Sequence, residues 1–199
     1  MEPNVEAMYE SLLATVARNV SLTAAQREFV TSLWSPRRYG KGQFYQRAGE
    51  VTTHGGFVAK GCFRTYAIDE QGVESILQFS QEGAFIGDIV SATLGTPTAY
   101  FVAAIEPSAV LVIDLPSFNR MIETIPEIGR GYRLGLQRSQ AAKDRRIALS
   151  LSASAEERYA DFVARHPALV ARVPQRMLAS YLGITPETLS RIRRRTNEG

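Results

Sequence analysis

Hydrophobic residues recur at two different spacings along the chain, and the changes of spacing divide it into regions. In the first 33 residues, "VEAMYESLLATV" carries apolar residues at helical intervals, and Thr23 with Gln26 matches the capping box that opens a second helix. Between Trp34 and Ile113 the apolar runs are short and separated by glycines, as in "GFVAKG" and "CFRTYAI". This pattern predicts an antiparallel sandwich or barrel of short strands, with "DEQG" as a hairpin turn.

Helical spacing returns after the strand-like region. "LPSFNRMIETI" predicts a short helix with Pro116 near its start, and a longer polar helix is predicted from Pro126 to about Leu149. Ser154 is predicted to cap a third helix, which His166-Pro167 should end. A strand-rich region between helical ones predicts a protein of the α+β class.

The segment "VPQRMLASYLGITPETLSRIRRR", which begins at Val173, predicts two short helices joined by a tight turn. Ala179 is small where the helices would cross, and Gly183 suits a turn that needs a positive φ. Thr185 is predicted to cap the second helix, with Pro186 at its first position. Apolar residues that would hold the helices together are Leu178, Leu182, Ile184, Leu189 and Ile192. The pattern is that of a helix-turn-helix.

One face of the second helix carries residues that suit contacts with DNA. Glu187, Ser190 and Arg191 lie at connected outward positions. We expect them to read base edges, because arginine can donate to guanine O6 and N7 and glutamate can accept from cytosine N4. Residues expected to contact the DNA backbone are Gln175, Thr188, Arg194 and Arg195. An ordinary helical hairpin with a solvated basic end is the alternative.

Charge is unevenly distributed along the chain. Residues 1–125 carry 9 Lys and Arg against 13 Asp and Glu, whereas residues 126–199 carry 14 against 7. This asymmetry indicates that the basic part meets a polyanion, which favours DNA binding over the solvated hairpin.

Composition argues against several other kinds of protein. The single cysteine, Cys62, excludes an internal disulfide and a cysteine-only metal cluster within one chain, and we expect it to be a buried residue of a strand. His54 and His166 are far apart in sequence and are expected on surface loops. No apolar run approaches the roughly 18 residues of a membrane span, and the acidic start does not suit a signal peptide. We therefore expect a cytoplasmic protein with no metal and no cofactor.

A glycine-rich strand region, a long helix and a C-terminal helix-turn-helix together resemble the Crp/Fnr family of bacterial transcription regulators. The stretch "AKGCFRTYAIDEQGVESILQFSQEGAFIGD" resembles the family's cyclic-nucleotide-binding β-roll, and "YLGITPETLSR" resembles its helix-turn-helix. The resemblance implies an N-terminal β-roll (a double-stranded β-helix), a dimerisation helix and a winged-helix-like DNA-binding domain. It also implies a homodimer that reads an inverted repeat of TTGA-like half-sites through Glu187, Ser190 and Arg191, with RNA polymerase as a further partner.

The resemblance divides the chain into a sensor region with N-terminal helices (1–125), a dimerisation helix (126–150) and a DNA-binding domain (151–199). Steps of four and three along the long helix connect a stripe that would pack against a second copy. The stripe comprises Ile128, Tyr132, Gly135, Ser139, Ala142, Arg146 and Leu149. The alternative is a helix that packs on its own β-roll, for which Leu134, Leu136 and Ile147 are available.

The expected effector pocket departs from the family pattern. Members that bind cyclic AMP hold its phosphate with an arginine and a serine, and these positions are Thr98 and Ala99 here. Asp88, after Gly87, replaces the glutamate that would hold the ribose. No Lys or Arg occurs between Arg64 and Arg120, so a buried phosphate would have no cationic partner. The sequence therefore predicts that cyclic AMP is not the effector, which is unidentified or absent.

Two other functions stay open beside the regulator. One is a cupin-like small-molecule-binding protein or enzyme with a vestigial helix-turn-helix, although the two histidines give none of the spacing that such metal sites need. The other is an interaction module that senses nothing. Aromatic residues that could line an apolar pocket, or simply form the core, are Phe57, Phe63, Phe79, Phe85, Tyr100 and Phe101.

Overall fold

The computed structural model of the protein describes residues 4–197, which form two compact units. The first unit comprises the described chain up to Ala67 together with Gln78–Gly135. The second comprises Ile68–Leu77 together with the described chain from Leu136. These boundaries differ from the predicted ones because the long helix is divided between the units and the hairpin tip belongs to the second.

The first unit is built from antiparallel strands with helices before and after them. Its helices are α1 (Val5–Ala17), α2 (Ala24–Ser32), α3 (Ile89–Leu94) and α4 (Leu115–Thr124). The strands are β1 (Ser35–Tyr39), β2 (Phe44–Gln46), β3 (His54–Lys60), β4 (Phe63–Ile68), β5 (Glu74–Ser80), β6 (Phe85–Ile86), β7 (Phe101–Ala104) and β8 (Ser108–Asp114). They form two four-stranded sheets, in the orders β1-β8-β3-β6 and β2-β7-β4-β5. The predicted fold class and the predicted region of short strands are confirmed.

Two apolar clusters stabilise this unit. One joins side chains from both sheets inside the roll, and fully buried Phe63 and Val110 lie in it. The other lies where α1, α2 and α4 cover the sheet that contains β3 and β8, with Phe57 and Leu111 at its base. Each fully buried phenylalanine removes enough apolar surface from water to contribute about 2–3 kcal/mol. Phe57 and Phe63 are therefore core residues rather than the lining of an open pocket.

Local sequence signals fix several element boundaries as expected. The hydroxyls of Thr23 and Ser154 accept hydrogen bonds from the backbone N–H groups of Gln26 and Glu157, whose side chains accept in return from the two capping residues. The "DEQG" segment forms the hairpin turn, and Gly72 there has φ of +81°. Cys62 is fully buried as predicted, but it lies directly before β4 and not within a strand.

The second unit is mainly helical. The long helix α5 runs from Pro126 to Ser152 and enters this unit at Leu136, and it is followed by α6 (Ala155–Arg165), α7 (Pro167–Val170), α8 (Gln175–Leu182) and α9 (Pro186–Asn197). Buried residues from these helices form its core, among them Phe162, Leu169, Leu178 and Leu189. From Leu136 to Asn197 the described chain contains helices and no strand. The expected β-wing is therefore not among these residues.

The face of α5 that packs on the chain itself differs from the expected one. Ile128 is only 6% exposed and belongs to the cluster under α4, and the Tyr132 ring packs edge-to-face on Phe118 with 4.9 Å between centroids. By contrast, Leu134 and Leu136 are exposed. Ile128 and Tyr132, which the sequence placed in the dimer stripe, instead pack in the first unit and anchor the start of α5 there. Leu134 and Leu136, which the sequence offered for packing on the β-roll, do not pack there.

Candidate nucleic-acid interface

A left-handed glycine makes the tight turn between α8 and α9. Gly183 has φ of +66°, and the Ile184 N–H donates to the Ala179 carbonyl across the end of α8, 3.0 Å away. This bond closes the helix end in the manner of a Schellman motif. A Cβ added to Gly183 would contact nothing within 4 Å, so the backbone conformation alone requires glycine there. Both predictions made from this stretch, the small Ala179 at the crossing and the positive φ at residue 183, are confirmed.

Burial beneath the turn fixes the angle between the two helices. Leu178, Ala179 and Leu189 are fully buried, and Leu182 and Ile192 are nearly so, while Ile184 is half-buried. At the start of α9, the Thr188 N–H donates to the Thr185 hydroxyl at 3.2 Å, which satisfies one of the free donors of the helix end. The helix-turn-helix predicted from the sequence is present in this unit.

The exposed face of α9 brings the predicted base-reading residues together. Glu187, Ser190 and Arg194 line one concave surface with residues from the start of α8. Arg191 is exposed on the adjoining turn, four residues after Glu187. Carboxylate, hydroxyl and guanidinium groups thus project from one side of a helix whose other side is buried. This arrangement suits hydrogen bonding to base edges and phosphates.

The Glu187 carboxylate is held in its charged form. Its pKa lies below the ordinary value of a glutamate because the carboxylate accepts a hydrogen bond from its own backbone N–H and from the Thr185 side chain. A negative charge is also favourable in the first turn of a helix, where the dipole is positive. Glu187 is therefore an acceptor throughout the neutral pH range, as a contact to a base amino group requires.

Of the four residues expected to contact the DNA backbone, two lie on the concave surface, and the other two contact residues of this chain. Gln175, at the start of α8, lies on the same concave surface and donates to the Pro186 carbonyl over 3.4 Å. The Thr188 hydroxyl lies 3.2 Å from the Thr185 hydroxyl, so it is engaged within the helix start. Arg195 lies 3.8 Å from the Glu156 carboxylate of α6, and both side chains are more than half exposed. Arg194 is exposed and belongs to the concave surface itself.

Sequence reasoning missed one residue of this surface. Arg176 is exposed and lies on the concave surface beside Gln175, Glu187 and Ser190. It adds a cation at the start of α8, where free backbone N–H groups already favour an anion. Its position directly after a predicted phosphate-contacting residue is the signal that could have identified it.

The residues predicted to line an effector pocket in the first unit bond to one another. The Thr98 hydroxyl donates to Asp88 Oδ2 at 2.7 Å, and Asp88 Oδ1 accepts from the N–H groups of Val90 and Ser91 at the start of α3. Thr98 is 4% exposed, whereas Ala99 is exposed. Gly87 has φ of +125° and precedes this cap. Both carboxylate oxygens of Asp88 are thus used within the fold.

Both histidines were expected on surface loops, but both are half-buried. His54 begins β3 and is half-buried against the Tyr45 ring, with 5.2 Å between centroids. His166 ends α6 and is half-buried against Phe162. Burial lowers the pKa of both imidazoles below the usual value. Among the described residues no cluster of three His, Cys, Asp or Glu side chains could hold a metal ion, and no helix is long and apolar enough to cross a membrane.

Comparison with known sequences identifies one matching domain family and several regulatory proteins as relatives. Residues 36–125 match the family model of the cyclic nucleotide-binding domain. The chain is 29% identical over 167 residues to the fumarate and nitrate reduction regulatory protein of Vibrio cholerae, with 76% of this chain and 64% of the relative covered. It is 27% identical over 143 residues to the transcriptional regulatory protein btr of Bordetella pertussis, with 66% and 58% covered. The chain thus matches less than two thirds of the length of these relatives.

Solved structures share the fold at lower identity. The structure of FixK2 from Bradyrhizobium japonicum matches with a TM-score of 0.73 at 20% identity, covering 83% of this chain and 85% of the other. The catabolite activator protein of Thermus thermophilus matches with a TM-score of 0.58 at 20% identity, covering 89% and 85%. At this level of identity, these matches show that the fold is shared.

Proposed function

We propose, from the premise that the chain belongs to the Crp/Fnr family, that it is a sequence-specific DNA-binding transcription regulator. The observation that carries the proposal is the exposed face of α9, where Glu187, Ser190 and Arg191 project beside Gln175 and Arg194. The names of the two curated relatives, both regulatory proteins, support the same function.

Base reading is assigned to three residues of α9. Arg191 donates its forked N–H groups to a guanine, Glu187 accepts from a cytosine amino group, and Ser190 bonds to an adjacent base. The buried side chains under the helix support this assignment, because they prevent α9 from rotating and presenting another face. The expected target is an inverted repeat with TTGA-like half-sites, which the resemblance implies.

Phosphate contacts are assigned to the rim of the same surface. Arg194 and Arg176 supply charge, and Gln175 supplies an amide at the start of α8. Arg195 contributes less than the sequence implied, because the Glu156 carboxylate competes for its guanidinium. Thr188 contributes through its backbone position at most, since its hydroxyl is engaged with Thr185.

The protein acts as a homodimer through the free face of α5. A stripe spaced by three and four residues is exposed on this helix and comprises Leu134, Gln137, Ala141, Asp144, Ala148 and Leu151. Leu134 and Leu151 are 46% and 84% exposed, so both ends of the stripe present apolar side chains that a second copy would cover. Knobs at such spacing pack two parallel helices together. Two recognition helices related by a two-fold axis then reach successive major grooves about 34 Å apart.

The dimer stripe replaces the one expected from the sequence. Ala142, Arg146 and Leu149 of the expected stripe line a cavity of the second unit. Gly135 and Ser139 are exposed and flank the free face. Residues 133–145 are all exposed, so burial does not separate the two stripes there. The proposed stripe is preferred because none of its members lines that cavity.

Fluorescence anisotropy tests the function directly. The purified protein is titrated into a labelled duplex with an inverted TTGA-like repeat and into a scrambled duplex of equal length, at moderate salt. The expected result is at least about a thousandfold preference for the repeat, the lower end of the range of specific regulators. Equal affinity for both duplexes would contradict the proposal. The cupin-like alternative predicts no salt-dependent binding to either duplex.

A further inference from the structure

A cavity of about 290 Å³ lies within the second unit, among side chains of α5, α6 and α8. Four arginines of its wall are Arg145, Arg146, Arg158 and Arg165, and Asp161 is the one carboxylate among the described residues that line it. None of these residues belongs to the concave surface assigned to DNA. Four guanidinium groups against one carboxylate leave a strong positive excess in a space the size of a small ligand.

The carboxylate orients two of the guanidinium groups. Asp161 Oδ1 accepts from Arg145 Nη2 at 2.6 Å and from Arg165 Nε at 3.0 Å. One carboxylate thus serves two cations, so it neutralises half of their charge while it fixes their positions. Groups held in this way lose little freedom when a ligand binds.

Arg158 supplies a donor that the fold leaves unused. Its Nε is buried and has no hydrogen-bond partner within the described structure. Its Nη1 reaches the Ser150 carbonyl over 3.4 Å, at the long end of a hydrogen bond. A buried N–H without an acceptor is unfavourable, and an acceptor entering the cavity would satisfy it.

The remaining wall is aromatic. Tyr181 packs edge-to-face on Phe162, and the Arg146 guanidinium lies over the Tyr181 ring, 4.8 Å from its centroid. The His166 ring also packs on Phe162, with 5.3 Å between centroids. These rings would cover the organic part of a ligand whose anionic group is held by the arginines.

We propose that this cavity binds a small phosphorylated molecule, with Arg145, Arg158 and Arg165 as the partners of its phosphate. Phosphate suits the site because it offers several acceptors and at least one full charge to forked donors. A free small molecule is favoured over a DNA phosphate because the lining residues are distinct from those on the DNA face.

Isothermal titration calorimetry of the whole chain with pyrophosphate, in the absence of DNA, tests the site. Arg158→Gln and Arg145→Gln should each weaken pyrophosphate binding about tenfold, the effect of losing one charge-assisted bond. Arg158→Lys, which keeps the charge, should restore part of the affinity. Lys143→Gln is the matched control, because Lys143 is exposed on α5 and does not line the cavity. Circular dichroism melting of each variant identifies loss of folding.

Three outcomes would overturn the proposal. They are pyrophosphate binding that is undetectable at millimolar concentration, binding weakened equally by Lys143→Gln, and loss of duplex binding in Arg145→Gln that matches the loss in Arg194→Ala. The last would mean that the arginines contact a DNA phosphate. Failure of sequence-specific DNA binding would leave the pyrophosphate titration unaffected, so the two proposals are tested separately.

Discussion

The Thr98 hydroxyl donates a 2.7 Å hydrogen bond to Asp88 Oδ2, so the two residues that stand where the resemblance places the phosphate and ribose contacts are bonded to each other. Thr98 also accepts from the Tyr100 N–H, and Asp88 caps α3 through its other oxygen. The polar groups that a ribose and a phosphate would use are therefore occupied within the fold. With no Lys or Arg between Arg64 and Arg120 in the sequence, a cyclic phosphate would enter without a cation.

Cyclic AMP and cyclic GMP should therefore leave the melting temperature and the DNA affinity unchanged. A ligand that binds only the folded state, at 100 times its dissociation constant, would add about 2.7 kcal/mol to the free energy of unfolding. Differential scanning fluorimetry at millimolar nucleotide measures this, with a cyclic-AMP-binding regulator as the positive control. A nucleotide-dependent shift of several degrees would contradict the prediction.

Arg191→Ala should lower the preference for one base pair of each half-site. The loss of a forked contact to a guanine costs about 1–3 kcal/mol of discrimination, while binding to random DNA changes little. Anisotropy titrations against duplexes substituted at one position at a time locate the affected base pair. Arg193→Ala is the control, because Arg193 lies on a less exposed side of the same helix. Unchanged affinity for every duplex would show that Arg191 does not read a base.

Arg194→Ala should weaken binding to all duplexes alike and reduce its dependence on salt. A phosphate contact releases about one counterion, so the slope of log affinity against log salt should fall by roughly 0.9. Arg195→Ala should produce a smaller change, because Glu156 lies 3.8 Å from that guanidinium. The affinity is measured at four or more salt concentrations. A larger effect of Arg195→Ala than of Arg194→Ala would reverse the assignment.

Two glycines with positive φ provide a matched pair of stability tests. Gly183→Ala should cost about 1 kcal/mol, because φ is +66° but a Cβ there would meet nothing within 4 Å. Gly61→Ala should cost considerably more, since φ is +95° and a Cβ would lie 2.8 Å from Ser108 Cα. Urea unfolding gives the free energy of each variant, and Gly183→Asn should be milder than Gly183→Ala because asparagine tolerates this conformation. An equal loss of unfolding free energy in Gly61→Ala and Gly183→Ala would contradict the prediction that the steric contact at residue 61 adds to the cost.

The sequence predicted local features better than packed faces. The turn at Gly183, the cap at Thr185 and both capping boxes depend on contacts between residues close in sequence. A short stretch of sequence is therefore enough to identify them. The buried face of α5 does not follow in this way, because several stripes on a helix with scattered apolar residues satisfy the same spacing. Ile128 belongs to a buried cluster of the first unit together with residues distant in sequence, such as Met8 and Trp34. The arginine cavity likewise depends on a fold that joins residues 145, 158 and 165.

The effector-pocket residues illustrate a third case, in which the sequence predicts that a charged pair is missing but not which contact takes its place. Thr98 and Ala99 indicated that the phosphate clamp is missing. That the Thr98 hydroxyl would bond to Asp88 depends on the path of the chain between α3 and β7. The residue type at a single position is enough to show that a charged side chain is missing. A hydrogen bond that takes its place can be predicted only if the distance between two residues is known.

Ala148→Glu should dissociate the dimer and abolish specific DNA binding while both units stay folded. Ala148 lies in the exposed stripe of α5, where a glutamate would be buried against its own copy and like charges would repel. Lys143→Glu is the control, because residue 143 lies outside that stripe although it is exposed on the same helix. Light scattering gives the mass, and anisotropy with the inverted repeat gives the affinity. Single half-sites should bind weakly to both variants, since one recognition helix gives little affinity alone. A wild-type monomer that binds one half-site tightly would contradict the dimer, and a dimer retained in Ala148→Glu would show that another face of α5 forms the interface.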